Sequence, residues 1–428
     1  MDITLKEELA VKLKSFNGIT VYKISQDRFK TNTINIFFHD TLTRETAALN
    51  ALMPAVLRRG CEKFPTFKDI AVYLEKLYGT SFDCGVAKKG EIQLIQFYIE
   101  YVADQYTQEG KGMFEKAFEL LFEIITKPVT ESGIFKEEYV VQEKENLKRL
   151  IESRVNDKVQ YAVDRCYEEM CGDEPFGVYE YGTAQDVDKI TNKQLYEQYN
   201  KILGSLPIDI FVTGDTEDAR ILKMAEKFSS LNRVNIKNIK AGNISKQIEE
   251  VKNITEKMSI NQGKLSMGFR TNTAPAEPDY YALMAYSILL GGGMHSKLFQ
   301  NVREKASLAY YAFSRLEKFK GLMVVSSGIE TENRDKAKEI IMEQLGEIEK
   351  GNITDNEFDA TVKTIETGIK SLKDSQLQMV DFYLSQNMAG TNDTFDTLVQ
   401  KVNKLTKQDI AEVSKKIKLD TVYFLTKA

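Results

Sequence analysis

Histidine is nearly absent from this 428-residue chain, which has only His39 and His295, far apart in sequence. Neither has a carboxylate or cysteine at a recognisable ligand spacing, so no ready-made metal site is legible. No nucleophile–base constellation stands out either, which leaves a Ser or Cys triad without support. Cysteine is scarce as well. Cys61, Cys84, Cys166 and Cys171 form no CxxC pair, and four thiols in a chain of this size argue against a disulfide scaffold. The five-residue step from Cys166 to Cys171 is compatible with a metal or redox pair, but ordinary packed thiols are the expectation.

Long apolar runs are also missing. None reaches the roughly 20 residues of a membrane-spanning helix. The opening MDITLKEELAVKL is charged and lacks the apolar centre of a signal peptide. A cytoplasmic protein with no membrane partner is expected. The net charge of -5 offers no general attraction to phosphate backbones. Lys88–Lys89 and Lys415–Lys416 are short, broken by acids and read as solvated surface, so no nucleic-acid partner is expected. What the chain does have is 42% apolar and 28% charged residues, the profile of a folded protein long enough for two or more domains.

The chain is written twice. TINIFFHD (33–40) matches KLSMGFRT (264–271), and each is followed by a helical stretch running into glycine, at 45–60 and 280–293. Segments 74–100 and 303–330 both read as a helix end and two strands joined by a charged turn. Helical repeats follow at 116–125 and 336–345, then at 134–153 and 356–375. The halves close with VDKIT and a helix (187–203) against VNKLT and a helix (402–417), where Thr191 with Gln194 and Thr406 with Asp409 fit capping positions. Each half then ends in one strand, at 207–215 or 420–428. Seven segments in one order at offsets of about 213 to 233 imply two homologous α+β halves, each a mostly antiparallel sheet packed with helices. The boundaries are 1–230 and 261–428, with a polar, weakly periodic linker at 231–260.

At GGGMHSKLFQNVREKASLAYYAFS (291–314) the chain resembles the second half of the pitrilysin-like (insulinase, mitochondrial processing peptidase, M16) metallopeptidases. RRGCEKFPTFKDIAVYLEKLYGTSFD (58–83) is similar to the stretch that follows the metal helix in that family. The resemblance implies two halves facing each other as a clamshell around a peptide. It also implies, in active members, His-x-x-Glu-His on the first helix and a later glutamate. Histidines at i and i+4 share a helix face and grip one zinc, while the intervening glutamate acts on the bound water.

That motif is missing here. Alignment on Gly60 and the following EKFPTF puts Ala51 and Ala55 at the ligand positions and Pro54 at the base position. Their side chains offer a metal no donor atom, and Pro54 is expected to kink the helix. No cofactor is expected on this chain. The acidic cluster Glu137, Glu138, Glu143 and Glu145 falls where the third ligand would lie and reads as a solvated helix face. GGG at 291–293 lacks a P-loop ending and reads as a flexible turn allowing close backbone approach.

The resemblance also assigns Arg303 and Tyr310 to the substrate-binding arginine–tyrosine pair of the family, with Tyr311 as the alternative tyrosine. Guanidinium and phenol both donate hydrogen bonds that strengthen as a peptide carbonyl becomes an oxyanion. Taken singly, a surface salt bridge for Arg303 and a core position for Tyr310 are the plainer readings. Together these features imply a non-catalytic subunit that completes the site of a homologous zinc-bearing partner, with the zinc on that partner. The alternative is a non-hydrolytic peptide-binding or scaffold protein on the same fold. The natural substrate, the identity of the partner and homodimer against heterodimer are not legible in the sequence.

Overall fold

The computed structural model describes residues 9–240 and 242–428. The opening residues 1–8, part of the segment read above as lacking a signal peptide, lie outside the described residues. In chain order the first elements are β1 (Ala10–Phe16), β2 (Ile19–Ile24), β3 (Thr31–Thr41), α1 (Ala47–Leu57), α2 (Phe67–Lys76), β4 (Ser81–Lys89) and β5 (Ile92–Val102). They continue with α3 (Met113–Thr126), a two-residue hairpin β6 (Thr130–Glu131) and β7 (Ile134–Phe135), then α4 (Glu137–Ser153) and α5 (Lys158–Met170). Next come α6 (Ala184–Lys189), α7 (Asn192–Ser205), β8 (Ile208–Thr213) and α8 (Asp218–Ala225). The rest is β9 (Lys252–Met258), β10 (Gly263–Arg270), α9 (Tyr280–Gly291), β11 (Ala309–Glu317), β12 (Leu322–Ile329), α10 (Arg334–Glu349), α11 (Asp355–Leu372), α12 (Gln376–Ala389), α13 (Phe395–Asn403), α14 (Lys407–Ser414) and β13 (Lys418–Lys427). No helix among the described residues is long and apolar enough to cross a membrane.

Two compact units result. The first holds the described residues to Ser153 together with Val178–Lys240. Its sheet runs β1-β2-β8-β3-β5-β4, antiparallel except where β2 meets β8. The long strand β3 reads T-I-N-I-F-F-H-D at its heart, and Ile34, Ile36 and Phe38 project into the core at the two-residue period of a strand. Helices α1, α3, α4 and α7 supply the other core layer, with Leu52, Phe118, Leu147 and Leu195 among the buried side chains. Their caps follow the sequence signals: Thr191 accepts from the Gln194 N–H at 3.3 Å while the Gln194 side chain accepts from the Thr191 N–H at 3.0 Å. Thr406 and Asp409 form the same reciprocal box at the start of α14, and each such cap contributes about 1 kcal/mol.

The second unit holds Arg154–Gly177 and the described part of Ala241–Ala428. Its sheet runs β11-β12-β10-β13-β9, again with one parallel pair, β13 against β9. The strand order repeats that of the first unit. An edge hairpin leads to a central strand, then to the closing strand of the half, then to a parallel neighbour. The first unit adds only β1.

Two features differ from the linear reading of the halves. Within 231–260, Lys252–Met258 is β9, a full strand of the second sheet. Only Ile254, Glu256 and Met258 are partly covered there, and one of the three is charged, so the apolar alternation is too thin to read. Residues 154–177 lie inside the range 1–230 yet pack with the second unit. Helix α5 lies on β10 and β13, where Cys166 is fully buried against Tyr423 and Leu425. Gly268 permits this approach, since a Cβ there would stand 2.8 Å from Met170 Sδ and 3.2 Å from Cys166 Sγ. Beyond α5, the fully buried Arg270 guanidinium binds Glu174 at 2.6 Å and Asp420 at 3.0 Å. All four cysteines are free thiols; Cys61, Cys166 and Cys171 are buried and Cys84 is half-buried.

Candidate functional site

Helix α1 is apolar almost all round, with Ala47, Ala48, Ala51, Leu52, Met53, Val56 and Leu57 all buried. It remains one helix through Pro54, whose missing N–H leaves the Asn50 carbonyl without its usual helical donor. The Pro54 carbonyl accepts twice, from the Arg58 N–H at 3.0 Å and from the Cys84 thiol at 3.2 Å. Burial pushes the Cys84 thiol up to about 12, so it stays protonated and donates rather than acting as a metal-binding thiolate.

Ala51 and Ala55 open onto a recess of about 430 Å³ between α1 and α4. Its other walls include Arg58, Arg59, Glu143, Leu147, Leu150 and Tyr181, with Cys84 and Gly85 contributed by strand β4. Glu143 departs from the solvated face expected of the acidic cluster. Glu137, Glu138 and Glu145 are exposed, whereas Glu143 is buried on the stripe Val140–Glu143–Leu147. The three-and-four spacing of that stripe is visible in the sequence and is the signal that separates Glu143 from its neighbours. Arg59 Nε stands 2.5 Å from Glu143 Oε1, and Arg59 Nη2 donates to Gln142 at 2.7 Å. Arg58 pairs with Asp83 at 3.6 Å and lies over the Phe67 ring.

This donor set does not fit zinc. Two alanines and a proline supply no ligand atom, and the one carboxylate at the recess is held by a guanidinium. Among the described residues no group of three His, Cys, Asp or Glu side chains is placed to hold a metal ion. His39 instead pairs with Asp209 at 3.0 Å on the first sheet, and His295 belongs to the second unit. Behind α1 lies a polar network that sequence reasoning missed. The fully buried Asn50 amide donates to Asp40 at 3.0 Å and Gln93 at 2.9 Å, and its oxygen accepts from Gln198 at 2.7 Å. Lys237 reaches Asp40 at 2.6 Å. These partners come from four distant segments, so no local pattern announces them.

In the second unit, Arg303 sits on a short π-helical turn, Phe299–Lys305. Its guanidinium is half-exposed, lies 4.8 Å from the Phe299 ring centroid and is 3.6 Å from Glu304. Tyr310 is 70% exposed, which sets aside the core position. It occupies a register shift in the edge strand β11, where Ala309 pairs with Ile329 and Tyr311 with Gly328. Such a bulge redirects one side chain away from the regular alternation. Tyr311 is different: its ring stacks on Phe313, and burial pushes its hydroxyl up to about 12.

A family profile described as "Peptidase M16 inactive domain" matches residues 189–365. A Bacillus subtilis (strain 168) protein named "Probable inactive metalloprotease YmfF" is 34% identical over 415 residues, covering 97% of each chain. Among solved structures, a conserved protein from Enterococcus faecalis V583 aligns over 98% of both chains with a TM-score of 0.90 and 29% identity. The M16 inactive domain from Pseudomonas fluorescens aligns over 98% of both chains with a TM-score of 0.80 at 16% identity, a likeness of fold.

Proposed function

Because this chain belongs to the M16 peptidase family, we propose that Ala51, Pro54 and Ala55 stand at the family's metal positions and that the chain is the non-catalytic subunit of a two-chain zinc peptidase. The observation that carries the reading is an asymmetry between the two units. The first has a recess without metal ligands. The second presents an exposed Tyr310 and a half-exposed Arg303 whose own ion pair, at 3.6 Å, is loose. A homologous partner would hold the zinc. This chain would contribute Arg303 and Tyr310 as donors to the peptide carbonyl, together with half of a chamber wall.

The edge strand β4 supports peptide binding on the first unit. Its outer edge pairs with no other strand among the described residues, and Gly85 on it borders the recess with open space where a Cβ would be. An extended peptide can add there by main-chain hydrogen bonds, which select backbone more than side chain. The same edge would serve a non-hydrolytic peptide binder, the second reading, in which Arg303 and Tyr310 have no part in turnover.

Co-expression with a homologous chain carrying His-x-x-Glu-His tests the proposal. The complex is expected to cleave peptides while this chain alone does not. Arg303→Ala with Tyr310→Phe is expected to lower turnover of the intact complex by at least about 100-fold, the range seen for loss of transition-state donors. Unchanged turnover in an intact complex favours the scaffold reading, and substantial cleavage by this chain alone refutes both.

A further inference from the structure

Tyr310 and Tyr311 are adjacent in β11, yet a glycine on the neighbouring strand accommodates only one of them. Gly328 of β12 stands opposite Tyr311 on one side and opposite Lys264 of β10 on the other. A Cβ at Gly328 would lie 2.4 Å from Tyr311 Cε1 and 2.9 Å from Cδ1, so the Tyr311 ring fills the place a side chain would take. The backbone of Gly328 is not left-handed, so glycine serves there for space and not for conformation. The ring extends towards β10, where Lys264 Nζ lies 5.5 Å from its centroid while donating to Gln262 at 2.8 Å. Along its own strand the ring stacks on Phe313, and the Ser327 hydroxyl donates to the Tyr311 carbonyl at 3.2 Å. An aromatic ring laid over a cross-strand glycine covers bare backbone, and a cation against the ring adds to the hold.

We propose that Gly328 is a positioning residue: it seats the Tyr311 ring against the sheet and so leaves Tyr310 as the tyrosine presented to solvent. The register shift gives β11 one residue more than β12 can pair, so one of the two tyrosines must leave the ladder. The residue whose ring lies over the glycine stays. Tyr310 is the one released, and it is 70% exposed. Gly328 acts only through Tyr311. The consequence for catalysis rests on the subunit reading above, whereas the seating of Tyr311 does not.

Nitration of the full chain with tetranitromethane, followed by peptide mapping, tests the seating. A seated ring reacts only through local opening, so Tyr311 is expected to react at least about tenfold more slowly than Tyr310. Gly328→Ala puts a methyl in the place of the ring and is expected to raise the Tyr311 rate about tenfold or more. The fully buried Tyr286 and Tyr423 of the same unit should stay unlabelled, which separates unseating from general loosening. Adding Tyr311→Ala vacates the space again. Only Gln262 Oε1 then remains near the methyl, at 2.9 Å, and it ends a flexible side chain. The double variant is expected to recover most of any loss in melting temperature and to keep Tyr310 labelled, and it decides the matter if Gly328→Ala alone fails to fold. A folded Gly328→Ala chain with Tyr311 still protected, or a double variant no more stable than the single one, overturns the proposal. In the complex with a zinc-bearing homologue, Gly328→Ala is expected to lower kcat about tenfold or more with KM little changed. Unchanged turnover with Tyr311 unseated would overturn the part given to Tyr310 in the subunit reading and leave the seating established.

Discussion

Arg59 Nε stands 2.5 Å from Glu143 Oε1, so the carboxylate beside the ligand-free recess is neutralised by a cation from the turn after α1. The pair is mostly shielded, with Glu143 the more deeply covered partner. Removing one member of such a pair leaves the other charge uncompensated. Arg59→Met is therefore expected to lower stability by about 1 to 3 kcal/mol, below the full buried-pair range because Arg59 is partly solvated. Glu143→Gln in the Arg59→Met background should recover most of the loss. A double-mutant cycle on urea midpoints measures the coupling, and purely additive effects would show that the pair is incidental.

The recess lacks imidazole ligands but retains a carboxylate, Glu143, and the helix geometry. Wild-type protein dialysed against metal-free buffer is expected to carry near-zero zinc by elemental analysis. Ala51→His, Pro54→Glu and Ala55→His together place two imidazoles one helical turn apart, with Glu143 on the facing wall. That triple variant is expected to take up about one zinc per chain, and adding Glu143→Gln should abolish it. Zinc uptake that ignores Glu143 would mean that the metal sits elsewhere.

Acid sensitivity is expected to concentrate in the second unit, at Glu174. Burial disfavours the Glu174 carboxylate, but hydrogen bonds from Arg270 and Lys320 prevail and lower it from 4.5 to about 2. A carboxyl depressed in the folded state stabilises fully above its unfolded value near 4.5, and this contribution is lost as pH falls towards 2. The contribution is at most about 3 kcal/mol at neutral pH. Between pH 4.5 and 2, wild-type protein should lose stability more steeply than Glu174→Gln, as read by thermal melts across that window. Parallel pH profiles would place the acid-labile step on another carboxyl.

Much of the fold was legible because both halves obey the same local rules. The apolar strand 33–40, the capping threonines at 191 and 406 and the closing strand of each half appear where periodicity and capping chemistry put them. That Ala51, Pro54 and Ala55 offer a metal no donor atom was legible from the side chains alone, whatever their surroundings. The electrostatics of the recess were not. The stripe Val140–Glu143–Leu147 sets Glu143 apart from Glu138 and Glu145, but its partner Arg59 lies 84 positions earlier in the chain and no local pattern names it. The Asn50 network is likewise assembled from residues that share no local pattern.

The departure of α5 from its own half has a local test at Gly268. Chain position places α5 with the first half, but the second sheet receives it because Gly268 presents bare backbone where Met170 and Cys166 approach. Gly268→Ala puts a methyl 2.8 Å from Met170 Sδ and 3.2 Å from Cys166 Sγ. The nearer atom ends a flexible side chain that can yield, whereas the Cys166 sulfur is short and fully buried. The expected outcome is a loss of about 1 to 2 kcal/mol, the usual scale of modest overpacking. Met170→Ala in the same background should return part of it by removing the closer obstacle. Amide exchange supplies the discriminating readout, because the amides of α5 should lose protection before those of α1 and α3 in the first unit. Uniform loss across both units would mean that the α5 contact is not a separable element of stability.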